Sequence, residues 1–182
     1  MIYNSNLYRI YYNDNDKTYI SNLIETIDNN LERIMNFFEL ENFSEKKTIK
    51  IWHDLFEYRY HVEPYVSEYQ DWMVADTFDS NINILSFSLF LAGPHRNSTY
   101  TDYYKIIIHE FVHVCQKEIN PVVDNTEWFW EALATNLANQ DMNIVNILCS
   151  KEDIIYNFHK LPDAYSVAYT TGKYMLQNLP SS

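Results

Sequence analysis

The segment running from Tyr103 through Ile106-Ile107-Ile108-His109-Glu110-Phe111-Val112-His113 to Val114 most constrains this chain, because it is apolar nearly all round yet carries His-Glu-x-x-His at its centre. A helix apolar on every side belongs in a domain interior. Ile106 to Ile108 alone would also suit a short buried strand, so length has to arbitrate. Thr101 and Asp102 offer an N-cap and Asn120-Pro121 a stop, which brackets a helix of about sixteen residues.

On such a helix His109 and His113 stand one turn apart, with Cβ atoms about 5–6 Å from each other. Two imidazoles at that spacing converge on one metal ion, and nitrogen donors suit zinc, which in catalytic sites takes three protein ligands and keeps a further position for water. Glu110 is one residue off the ligand face, within reach of that water. A hydrolytic metal centre is therefore the expectation.

The third ligand can be sought in two patterns. The extended H-E-x-x-H-x-x-G-x-x-H motif of metzincins needs Gly at position 116 and His at 119, and the chain has Gln116 and Ile119 there. The other pattern is a Glu from a second helix. The segment Glu127-Trp128-Phe129-Trp130-Glu131-Ala132-Leu133-Ala134-Thr135 follows a turn containing Pro121, Asp124 and Asn125. With Thr126 or Asn125 as its cap, Glu131 falls in the second turn.

His-Glu-x-x-His followed by this aromatic-flanked Glu-Ala segment resembles the gluzincin branch of zinc metallopeptidases, and more narrowly the peptidase MA-like proteins. The resemblance implies one catalytic zinc held by His109, His113 and Glu131, with Glu110 as general base. Many members place Gly directly after the ligand Glu, so Ala132 is a small departure. In such proteins the two ligand helices pack tightly, which would account for Ala132, Ala134 and Ala138. Flanked by Trp128, Phe129 and Trp130, a carboxylate needs a partner, and a metal supplies one. Nearer the C-terminus, the segment from Ala164 to Tyr174 looks like the helix that ends the catalytic unit in this family. Related aminopeptidases carry there a Tyr that donates to the tetrahedral intermediate. Tyr165 matches that position best and Tyr169 next, with Tyr174 as a second recurring aromatic.

The implied chemistry is hydrolysis of a peptide bond, with Glu110 taking a proton from the attacking water and passing it to the leaving amine. Tyr165 would stabilise the oxyanion. Thr135 and Glu127, each one turn from Glu131, are candidates for contacts that orient the ligands. His53, His61, His95 and His159 read as ordinary polar or half-buried residues, His159 being closest in sequence to the Tyr165 helix. Cys115 and Cys149 lack CxxC spacing, and Cys115 points away from the ligand face, so both read as reduced structural residues.

With 13 Lys and Arg against 25 Asp and Glu, the net charge of −12 argues against a nucleic-acid partner. A peptide or protein substrate is the expected partner. No stretch approaches the roughly eighteen apolar residues of a membrane span. The N-terminus lacks the basic and apolar regions of a signal peptide, so the expected location is cytoplasmic.

At 182 residues, one domain spanning 1–182 is expected. Leu7 to Tyr12 and Thr48 to His53 read as strands, Ile20 to Phe38 as a long amphipathic helix, and Leu55 to Val62 as a short one. Trp72 to Ala75 and Ile82 to Phe87 suggest a hairpin across Asp76 to Asn81. Asn81 to Phe87 could be an open edge strand that binds substrate backbone, or an interior strand serving the core. Together these imply an α+β, zincin-like metalloprotease fold, with a mixed N-terminal sheet and a helical C-terminal half. The alternative from another class is a catalytically weak zincin-like protein that acts as a peptide- or protein-binding module.

Overall fold

The computed structural model describes residues 1–78, 81–122 and 126–178. Strands β1 (Ile2–Asn4), β2 (Tyr8–Tyr11), β3 (Lys47–Trp52), β4 (Ala75–Asp76) and β5 (Ile82–Leu85) form one sheet in the order β1-β2-β3-β5-β4. The β2–β3 and β3–β5 pairs are parallel and the outer pairs antiparallel, so the sheet is mixed. Parallel neighbours cannot be joined by a tight turn and need a crossover. Helix α1 (Ile20–Phe37) supplies the first and α2 (Leu55–Val62) lies on the second. The fold is α+β: from residue 100 onward the described elements are helical.

Local sequence accounts for these elements. In β3, Ile49 and Ile51 alternate inward with Lys50 outward. In α1, Ile20, Leu23, Ile27, Leu31 and Ile34 recur at helical spacing and bury one face, and α1 packs against α4 (Tyr100–Ile119). Of the two roles open to the segment Asn81 to Phe87, the interior one is observed. β5 lies between β3 and β4 with all four residues buried, so it is an interior strand. The edge falls to β4, whose two residues are too few to show any periodic pattern. Trp72 sits in a turn ahead of β4 rather than in the hairpin, and of the expected hairpin connection residues 79 and 80 lie outside the described set. Phe87 opens a short helix, α3 (Phe87–Leu91), after Ser86.

Helix α4 starts earlier than Thr101 and Asp102 suggest. Thr99 is the N-cap and Asp102 occupies the third helical position: Thr99 Oγ1 accepts from the Asp102 N–H, and the Asp102 carboxylate accepts from the Thr99 N–H at 2.7 Å. This reciprocal box satisfies two N–H groups the helix itself leaves free. Asn120 ends the helix, as expected. Helix α5 (Glu127–Leu137) follows Thr126, whose side chain makes no capping bond, and the alternative cap Asn125 lies outside the described residues. Helices α6 (Lys151–Tyr156) and α7 (Ala164–Gln177) complete the chain.

The main core lies between the sheet, α1 and α4, where Tyr8, Phe111 and Tyr103 are sealed from solvent. Ala132, Phe158 and Ala168 form a smaller cluster joining α5 to α7. Here the backbones approach so closely that a Cβ on Gly172 would sit 2.5 Å from the Ala132 carbonyl oxygen. No described helix is long and apolar enough to cross a membrane.

Candidate metal centre

Helix α4 brings His109 and His113 to the boundary between the main core and α5, where they are 7% and 9% exposed. Their Nε2 atoms lie 2.9 Å apart. Glu131, on the second turn of α5, sets Oε2 at 3.2 Å from His109 Nε2 and Oε1 at 3.4 Å from His113 Nε2. The three expected ligands meet in space, with one donor atom from each inside a 4.8 Å group.

The far side of each ring decides what that group needs. His113 Nδ1 lies 2.7 Å from Gln116 Oε1, and His109 Nδ1 lies 3.2 Å from Gln140 Oε1. A carboxamide oxygen only accepts, so each Nδ1 carries the hydrogen and each neutral ring presents a lone pair at Nε2. Two such lone pairs and a carboxylate then face one another with no donor among them. Glu131 Oε2 is sealed from solvent and accepts no hydrogen bond, because a neutral His109 ring with its hydrogen on Nδ1 has none to donate from Nε2, 3.2 Å away. A divalent cation bound by two nitrogens and one oxygen satisfies all of these atoms, and the donor set fits zinc.

Without a cation, a proton takes part of that role. Burial disfavours the charged form of His113, but the Glu131 carboxylate, with help from Glu110 and Gln116, outweighs it and holds the ring at about 9. Burial pushes Glu131 upward, and the imidazoles of His113 and His109 overcome it, leaving the carboxyl well below its usual range.

Glu110 is 7% exposed and accepts no hydrogen bond from a described residue. Burial raises its carboxyl above the usual range; the two imidazoles oppose that rise, and Asp76 and Glu131 add to it. A carboxylate raised this way is a better proton acceptor. Tyr165, second residue of α7, is also close to these groups: burial raises its hydroxyl, and the charges of Glu131, Glu110 and Glu127 raise it further. Its ring contacts Trp72 at 6.0 Å and Phe158 at 6.3 Å. Lys173 lies over the Tyr169 ring, and Tyr174 is exposed.

Two expected ligand contacts are corrected. The Thr135 hydroxyl donates to the backbone carbonyl of Glu131, as a mid-helix threonine can, and leaves the ligand carboxylate alone. Glu127 pairs instead with His159 at 2.6 Å, both half exposed. The groups that do bond the two imidazoles, Gln116 and Gln140, were not anticipated. Gln116 lies three residues beyond His113 on the same helix face, a visible signal, whereas Gln140 reaches the site from beyond α5 and has no local pattern. The remaining histidines are engaged elsewhere: His53 pairs with Asp16, His61 with Asp76, and His95 stacks on Phe90. Cys115 is fully buried, and burial pushes its thiol up to about 12, with Glu118 adding to the rise.

No family model, curated protein or solved structure matches this chain.

Proposed function

We propose that this chain is a zinc-dependent peptidase of gluzincin type with a zincin-like fold, hydrolysing bonds in a peptide or protein substrate. One observation carries the reading: two Nε2 lone pairs and a buried carboxylate converge while both Nδ1 atoms are committed to carboxamide oxygens. His109, His113 and Glu131 would hold the ion. Zinc in such a site supplies Lewis acidity toward water and a substrate carbonyl.

The chain's own residues do the rest. Glu110, beside the ligands and without a hydrogen-bond partner among the described residues, takes the proton of the attacking water and delivers it to the leaving amine. Its place in the core keeps that carboxylate poorly solvated and therefore basic. Tyr165 donates its hydroxyl hydrogen to the developing oxyanion, a task suited to a phenol that stays protonated. Tyr165 is held from the side by the Trp72 ring, which meets it edge-on at 6.0 Å.

The test is zinc content and peptide cleavage in the native chain and in Glu110→Gln. The expected outcome is about one equivalent of zinc in each, following the single three-ligand site, with cleavage reduced about 10²–10⁴-fold in the variant. Undiminished cleavage in the variant removes Glu110 as the base. Zinc without cleavage in the native chain favours a binding module, and absence of zinc binding sinks the metal reading.

A further inference from the structure

The position that departs from the metzincin pattern carries a second role. Gln116 is 5% exposed and its carboxamide is used at both ends. Nε2 donates to the Trp130 carbonyl at 3.1 Å, and Oε1 accepts from His113 Nδ1 at 2.7 Å. The first bond fixes the second: only the NH₂ end can face a carbonyl, so the oxygen must face the imidazole, and Nδ1 must carry the hydrogen. Trp130 immediately precedes Glu131, and its ring stacks on His113 at 6.3 Å with 25° between planes.

We propose that Gln116 is a positioning residue that sets two of the three donors at once, aiming His113 Nε2 and tethering α5 so that the Glu131 carboxylate arrives at the same point. The proposal rests on the metal reading given above. One side chain spans the two ligand helices: its backbone belongs to α4 and its amide N–H holds α5. Gln140 offers the contrast, since its carboxamide reaches His109 at the longer distance of 3.2 Å and its bond to α5 runs through its backbone N–H, to the Thr135 carbonyl at 3.0 Å. Because the partner is a neutral amide rather than a carboxylate, His113 gains orientation and tautomer without added negative charge beside Glu131.

The experiment is zinc affinity by competition with a chromophoric chelator, for the native chain, Gln116→Leu and Gln116→Glu, alongside thermal unfolding of the chelated proteins. Gln116→Leu removes both contacts and is expected to weaken zinc about 10–100-fold. Gln116→Glu keeps an acceptor for Nδ1–H and loses the donor to Trp130, so its affinity is expected between the other two. Unchanged zinc affinity in Gln116→Leu, with only the unfolding temperature lowered, would make Gln116 a packing residue and overturn the proposal. Gln116→Glu binding as weakly as the Leu variant overturns the orienting contact, and binding as tightly as native overturns the tether. A native chain that binds no zinc removes the metal reading and this proposal together, whereas native binding with equal variants removes only this one.

Discussion

The motif helix is held differently on its two sides. Toward the sheet, α4 is fastened by large groups: Tyr103 donates to the Leu85 carbonyl, Phe111 packs edge-on against Tyr8, and Glu118 pairs with the buried Lys47 at 2.5 Å. Toward the C-terminal helices α4 meets α5 through Gln116 and Trp130, and the contacts that seat α5 in turn are small. Helix α5 meets α7 through Ala132, Ala168 and Gly172, where backbone nearly touches backbone. The first side derives stability from buried area and a desolvated ion pair, and the second derives placement from the absence of side chains. The two histidines therefore stand on a redundantly fixed helix, while Glu131 depends on a fit that one methyl group disturbs.

Three measurements would break or sharpen that contrast. The largest effect is expected from Glu118→Gln, which leaves the Lys47 ammonium, 2% exposed, without its carboxylate. Loss of one partner of a buried pair costs about 3–5 kcal/mol, read as a lower urea midpoint. A change below about 1 kcal/mol, the value of an exposed pair, would show that the sheet side does not rely on it.

Gly172→Ala is expected to cost less, about 1–3 kcal/mol, because the new Cβ forces α7 away from the Ala132 carbonyl. Its zinc affinity should fall as well, since Ala132 adjoins Glu131; zinc binding equal to native would uncouple α7 from the ligand.

The third effect is spread over pH and amounts to at most about 1.4 kcal/mol per pH unit for one proton. In the chelated protein His113 is raised from 6.5 to about 9, so its contribution is full below 6.5 and fades as pH climbs through 9. Glu131 is depressed from 4.5, so its contribution is present above 4.5 and fades as pH falls below it. Stability should therefore plateau between these limits, and Glu131→Gln should flatten the alkaline decline. An identical alkaline limb in that variant would sever His113 from Glu131.

What the sequence made legible was local. The turn spacing of His109 and His113 and the neighbouring Glu110 are properties of any helix, so the donors could be named before the fold was known. Glu131 was legible because an acidic residue among three aromatics has few ways to be solvated. Tyr165 followed from resemblance alone, and burial together with the charges of Glu131 and Glu110 raises its hydroxyl. The illegible parts are those made by tertiary approach. Gln140 reaches His109 from a segment with no periodic signal, Trp72 meets Tyr165 from a turn, and the two-residue β4 takes the sheet edge beside β5. Thr135 and Glu127 were misassigned because a helix turn brings them near Glu131 on paper, while each found a competing partner.

Cys115 lies two residues beyond His113, fully buried, with its thiol pushed up to about 12. At that value the sulfur stays a neutral thiol across the range in which proteins function, and it is the thiolate that oxidants and electrophiles attack. Cys149, partly exposed, is the cysteine that such reagents meet first. Alkylating or oxidising agents should thus mark the connection between α5 and α6 and leave the helix bearing His109 and His113 chemically intact, giving a single-site attachment point for a spectroscopic reporter outside the candidate metal centre.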